Sequence, residues 1–194
     1  MQQCIKIIVG LGNPGNNYSE QRHNVGFWFI DEILLQYQEK LEYKKNLLGF
    51  LGKIYLNDYA VFLFKPDLYM NESGIGVTKV LKYLNLSPAE LLVVHDDIDL
   101  EVAQVRLKYG SGDGGHNGIR SIINSLHSKD FYRCRIGIGH PGHKDLVHRH
   151  VLSKPSRDDY YSISRTIKNV IATLLILLQG NLPLAMQELH KMEK

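Results

Sequence analysis

IKIIVGLGNPG, residues 5–15, decides the fold. Ile5 to Val9 is a short β-branched run that stops at Gly10, the pattern of a buried strand. From Gly10 to Gly15 the chain spells G-x-G-x-x-G, and an acidic residue, Asp31, follows about 20 positions on, as in a dinucleotide-binding turn. The context speaks against that turn. It needs a helix to begin inside the glycine motif, whereas Pro14-Gly15-Asn16-Asn17 is turn chemistry that delays one. The acid that binds a ribose should end the next strand, and Asp31 falls inside the expected helix. The stretch therefore reads as strand, polar loop and helix, the opening of an α/β fold that holds something other than a dinucleotide.

Working outward, a helix is expected from His23 or Asn24 to Glu39, with Phe27, Ile30, Leu34 and Tyr37 at helical spacing. Runs from Gly49 to Leu56 and from Tyr59 to Phe64 flank Asn57-Asp58, a hairpin turn. A second helix should run from Asn71 to Leu84, burying Val77, Val80, Leu81 and Leu84. After a turn at Ser87 to Glu90, a buried strand from Leu91 to Val94 is expected to stop at an acidic loop. Val102 to Tyr109 alternates, and Asn117 to Leu126 is a helix. Arg133 to Gly139 is a strand, Asp158 to Leu178 one long helix, and Leu184 to Lys191 a last one. With no repeat or linker, this order predicts a single α/β domain over residues 1–194, a twisted mixed β-sheet flanked by helices.

Composition narrows the function. The 194 residues suffice for a substantial core, and the 44% apolar and 22% charged fractions are ordinary for a soluble domain. A net charge of +3 proves no nucleic-acid partner, although six of the nine histidines fall between His116 and His150. Two cysteines, Cys4 and Cys134, are no disulfide framework. Cys134 alternates with Ile136 and Ile138 and is expected to be a buried hydrophobe. The N-terminus lacks the pattern of a signal peptide. The most apolar stretch, Val170 to Leu178, is far short of the roughly 20 residues of a membrane span. The expectation is a cytoplasmic protein with no membrane association.

The chemistry-bearing residues stand at element ends: Asn13, His23, Asn71, His95-Asp96-Asp97 and Asn117. A histidine that takes a proton, a carboxylate that orients it and amides that hold a carbonyl are the parts of a hydrolase site. The blander alternatives stay open. Asparagines cap helices and form turns, and the acidic run suits a solvated loop. His95, Asp96, Asp97 and Asp99, or His140, His143, His148 and His150, could ligate a metal, but no stretch has a zinc or calcium spacing. A helix N-terminus and Arg22 beside it should both disfavour imidazolium at His23, leaving the neutral form that a general base requires. Gly110 to Gly118 holds five glycines in nine residues, a loop that can move or admit a ligand to its backbone. Arg106 and Lys108 share one strand face beside it, and Arg133 and Arg135 repeat the arrangement, which suits phosphate.

Taken together, IIVGLGNPGNNYSEQRHNVGFW, KPDLYMNESG, VVHDDIDL, GSGDGGHNGIRSI and RCRIGIGHPG resemble the bacterial peptidyl-tRNA hydrolase family, in motif order and near the expected spacing. The resemblance covers Ile5 to about His150 and continues more weakly beyond. It implies hydrolysis of the ester joining a peptide to the 3′ ribose of tRNA, by a monomer without a cofactor or metal. It implies that His23 activates water, that Asp96 orients His23, and that Asn13 and Asn117 belong to the catalytic group. Tyr18, Met70, Asn71 and His116 would bind the substrate, and Arg106, Lys108 and Arg135 the tRNA backbone. Two positions depart from the commonest family pattern: Asp97, where Glu is frequent, and Asp113 in the glycine loop, whose charge could weaken tRNA binding.

Overall fold

The computed structural model describes residues 4–192. One seven-stranded sheet in the order β2-β3-β4-β1-β5-β7-β6 organises them. In chain order the strands are β1 (Ile7–Gly10), β2 (Glu42–Lys44), β3 (Gly49–Leu56), β4 (Tyr59–Pro66), β5 (Leu91–Asp97), β6 (Val105–Tyr109) and β7 (Tyr132–Gly137). β1 lies parallel to both β4 and β5, and β5 parallel to β7. The hairpins β2–β3–β4 on one side and β6 on the other are antiparallel. The helices are α1 (Val25–Tyr37), α2 (Ser73–Leu84), α3 (Asn117–Leu126), α4 (Val147–Val151), α5 (Arg157–Ala172), α6 (Leu174–Leu178) and α7 (Leu182–Met192).

Strand alternation sorts the core into two layers. Ile8, Leu92, Val94, Cys134 and Ile136 face the layer that holds α1 and α5. Ile7, Val9, Leu91 and Val93 face the layer that holds α2 and α3. The central strands are apolar on both faces because both are covered, as parallel strands require.

Several expected boundaries move, each for a local reason. The strand expected to stop at Val94 runs on through Asp97, because His95, Asp96 and Asp97 pair with Arg135, Ile136 and Gly137 of β7. The strand expected from Val102 begins only at Val105; Ala103 is left-handed, with φ 66°. The long helix expected from Asp158 breaks at Thr173, whose buried hydroxyl donates to the Val170 carbonyl. Helix α1 begins at Val25 after a 3-10 turn over Arg22–Asn24, and α2 at Ser73 after one over Met70–Glu72. The expected α3 and the hairpin around Asn57-Asp58 form as read. Strand β2 and helix α4 carry too little pattern to be expected.

Glycine sets one distance that matters to the site. A Cβ on Gly26 of α1 would collide with the Leu11 backbone and the Val94 carbonyl, and one on Gly10 with the Gly26 carbonyl. The helix therefore lies directly on the ends of β1 and β5. That close approach puts the turn preceding α1 over the end of β5.

Candidate active site

Asp96 is on the same face of β5 as Leu92 and Val94, the face toward α1. His23 comes down onto it from the turn before α1. Its Nδ1 lies 2.8 and 2.9 Å from the two Asp96 carboxylate oxygens, with both side chains buried. An ionised carboxylate only accepts, so Nδ1–H donates and Nε2 keeps its lone pair. His116, at the mouth of α3, adds a second donor. Its Nδ1 accepts from the backbone N–H groups of Gly118 (3.1 Å) and Ile119 (3.3 Å). The proton must then be on Nε2, which lies 3.0 Å from Asp96 Oδ1 and donates to it. One buried carboxylate thus fixes the tautomers of two histidines.

Electrostatics follow from this arrangement. Burial alone would push the Asp96 carboxyl up, but the charges and N–H groups of His23 and His116 win, holding it far below the usual carboxylate range. Burial alone would pull His23 down, yet the Asp96 charge and hydrogen bond outweigh it and raise its pKa above 6.5. The sequence alone points the other way, toward a neutral imidazole favoured by Arg22. Arg22 is spent elsewhere: it donates to Ser153 Oγ (2.8 Å) and the Lys154 carbonyl (2.6 Å) and pairs with Asp159. It anchors the His23 turn to the segment before α5. His95 faces the other layer, donates from Nδ1 to the Asp96 carbonyl at 2.7 Å, and packs edge-on to His116. Burial, reinforced by His116, lowers its pKa well below 6.5 and keeps it neutral.

The amides divide into three cases. Asn13 is buried, and its Oδ1 accepts from the Met70 N–H at 2.8 Å, leaving Nδ2 to donate to a ligand. Its own N–H and C=O are both clamped by the Asn24 side chain at 2.9 Å. Asn24 thus positions the loop instead of capping α1, where no side-chain capping bond forms. Its place in the sequence suggests only a cap; its use as a clamp on a residue 11 positions earlier has no local signature. Asn117 is not the cap of α3 either, since His116 fills that place. Its Oδ1 accepts from Arg120 Nη1 at 3.4 Å, which turns Nδ2 outward. Asn71 is exposed beside buried Met70, and Tyr18 meets Tyr69 edge-on with centroids 6.2 Å apart.

His23, Asp96, His116 and Asn117 line one cleft of about 510 Å³, with Lys144 and His148 on its far wall. The cations of β6 and β7 do not join it. In the antiparallel register Arg106 faces Arg135 and Lys108 faces Arg133, so four cations share one sheet face. Arg106 and Lys108 are exposed. Arg135 Nε is 2.5 Å from Asp97 Oδ2. Arg133 is buried, lies over the Phe131 ring, and donates to the carbonyls of Ser111 (2.8 Å) and Gly112 (2.5 Å). It ties down the glycine loop, and burial, then the Arg135 charge, lowers its pKa to about 10. Asp113, in that loop, accepts from Arg120 and from the Gly115 N–H.

The ligand atoms of His23, Asp96 and His116 lie within 4.8 Å of one another, the separation of a possible cation site. Their hydrogen bonds account for the cluster, because both ring nitrogens nearest the carboxylate carry protons. Cys134 is fully buried, and burial raises its thiol to about 12, as expected of a small hydrophobe.

A free imidazole nitrogen, oriented by a buried carboxylate at the ends of parallel strands, gives this α/β protein a centre whose geometry suits hydrolysis. Comparison with known proteins agrees. A model of the family described as peptidyl-tRNA hydrolase matches residues 7–194. A peptidyl-tRNA hydrolase of Coxiella burnetii is 45% identical over 190 residues, covering 98% of this chain and 100% of that one. One of Halorhodospira halophila is 43% identical, covering 95% of each. The crystal structure of peptidyl-tRNA hydrolase from Acinetobacter baumannii superimposes with a TM-score of 0.91 at 38% identity, covering 95% of this chain and 94% of that one. The chain belongs to the peptidyl-tRNA hydrolase family. Among the described residues no helix is long and apolar enough to cross a membrane.

Proposed function

We propose that this protein hydrolyses the ester between a peptide, or an N-blocked aminoacyl group, and the 3′ ribose of tRNA, recycling tRNA from aborted translation. The observation that carries the mechanism is the His23–Asp96 pair, which presents His23 Nε2 to the cleft with its lone pair available. Water gives a proton to Nε2 as its oxygen bonds to the ester carbonyl carbon. The imidazolium so formed is held by the Asp96 carboxylate. The amide Nδ2 groups of Asn13 and Asn117 supply donors for the carbonyl oxygen as it gains charge. When the carbon–O3′ bond breaks, Nε2–H returns its proton to the ribose oxygen. No covalent nucleophile is needed, since a ribose alkoxide protonated as it leaves is an adequate leaving group.

In this reading Tyr18, Met70 and Asn71 bound the peptide side, and His116 acts through Asp96 and meets the substrate with its ring wall alone. Arg106, Lys108 and Arg135 hold the phosphate backbone, a grip independent of sequence. The chain, residues 1–194, works as one unit, a cytoplasmic monomer without a metal or cofactor.

The test is release of the blocked amino acid from N-acetyl-aminoacyl-tRNA in the presence of EDTA, with His23→Ala alongside. Release by the wild type and none by the variant is the expected outcome. Binding of tRNA without release would replace this reading with that of an RNA-binding protein on the same fold, and loss of release in EDTA would bring a metal into the His23–Asp96–His116 cluster.

A further inference from the structure

A second concavity adjoins the site. It measures about 360 Å³, within the range of ligand cavities, and is walled by Phe27, Trp28, Leu34, Leu41 and Phe50 with Asn13 at its rim. Asn24, the residue after His23, also lines it, so the doubly bonded Asn13–Asn24 pair forms the partition between this trough and the catalytic histidine. Resting on the reading that the substrate is a peptide ester, we propose that this trough is a subsite for an apolar or aromatic side chain two or three residues before the ester.

The chemistry of the walls selects the occupant. Trp28 spends its only donor on the Ser19 carbonyl at 2.7 Å and offers ring surface alone. Tyr43 covers one side of Phe50, centroids 5.1 Å apart, while Phe50 stays 37% exposed on its other side. Of the three charged residues that line the trough, Asp31, Lys65 and Asp67, two pair with each other: Lys65 Nζ is 2.7 Å from Asp31 Oδ1 and sits over the Phe27 ring at 4.6 Å. Asp67 leaves the lining with a net negative charge, which disfavours an acidic occupant, while the walls themselves are aromatic and aliphatic. The trough lies beyond Asn13 and Asn24 from His23, and two or three extended residues span roughly 7–10 Å, so the proposed occupant is a side chain that precedes the esterified residue. The single residue of an N-acetyl-aminoacyl ester is too short to enter.

The experiment compares kcat/KM for N-acetyl-Phe-Phe-Ala-tRNA and N-acetyl-Gly-Gly-Ala-tRNA, which share their esterified residue, with N-acetyl-Ala-tRNA as the internal reference. The wild type should prefer the aromatic peptide by about tenfold, the scale of one apolar pocket. Phe50→Ala, at a half-exposed position, should lose most of that preference. Phe50→Trp, which narrows the trough, should lose it by exclusion and serves where the alanine variant folds poorly. Equal rates for the two peptides in the wild type, or a preference that survives both variants, would overturn the proposal while leaving N-acetyl-Ala-tRNA hydrolysis intact. No release from any of the three substrates would instead overturn the hydrolase reading and this subsite with it.

Discussion

Two polar regions of this molecule are built on opposite principles. Around Asp96, 2% exposed, the ring N–H groups of two histidines converge on one carboxylate; the other nitrogen of His116 caps α3, and that of His23 stays free. Around the glycine loop, Asp113 and Arg120 meet at 3.3 Å with the arginine side chain half exposed. Removing one donor from a buried carboxylate of the first kind costs about 1–3 kcal/mol or more, whereas an exposed pair of the second kind is worth about 0.2–1 kcal/mol. Folding alone fixes the first region. The second can be rearranged by a ligand, since so weak a pair holds Arg120 loosely. In the proposed mechanism the chemistry falls in the rigid region and the handling of a large polyanion in the compliant one.

The largest effect should come from the rigid centre. His23→Ala is expected to lower kcat by roughly 10²–10⁴-fold, the range of general-base catalysis, with the circular dichroism spectrum and tRNA affinity retained. Near-normal turnover would remove His23 from the mechanism. Next is the pH dependence. Activity needs His23 neutral, so kcat should rise with pH through a value above 6.5, because the Asp96 charge outweighs burial. Asp96→Asn removes that charge and leaves burial, so the limb should move below 6.5 as the rate falls. An unmoved limb would detach the titration from this pair. The stability side has the opposite sense for the carboxylate. Asp96 is held low, so its contribution is present above the ordinary 3.8 and lost as pH falls through its folded value. Urea midpoints from about pH 5 down to about pH 2 would show it.

The compliant region should respond more gently. Arg106→Gln with Lys108→Gln is expected to raise KM and to flatten the log–log salt dependence by about 1 for each phosphate no longer neutralised; an unchanged slope would place the tRNA elsewhere. The smallest effect belongs to Asp113→Asn, which frees Arg120 for phosphate. KM should fall about two- to threefold at low salt, the worth of one exposed pair. A rise would mean that the Asp113–Arg120–Asn117 chain aligns the Asn117 amide.

The same contrast explains what is legible in the chain. Aliphatic strands that stop at polar residues, and a histidine at a helix mouth, are local signals, and they mark His23, Asp96, Asn13 and Asn117. What escapes depends on partners distant in sequence. Asp96 belongs to a strand because Ile136 of β7 pairs with it from 40 residues away. Asn24 is a clamp because its amide meets the Asn13 backbone, and Arg22 leaves His23 alone because Ser153 and Lys154 take its guanidinium. His116 reads locally as one more residue of a glycine-rich loop, yet it caps α3 and grips Asp96 with its two nitrogens. Both nitrogens of one ring acting on different elements leave no periodic trace.

Strand β6 ends the sheet, so among the described residues its outer backbone groups have no neighbouring strand. An unpaired edge invites the edge of another molecule, and charged side chains are a usual deterrent. Arg106 and Lys108, exposed on this edge strand, are charges of that kind. Variants that neutralise both cations should therefore raise the turbidity of the solution if these charges guard the edge.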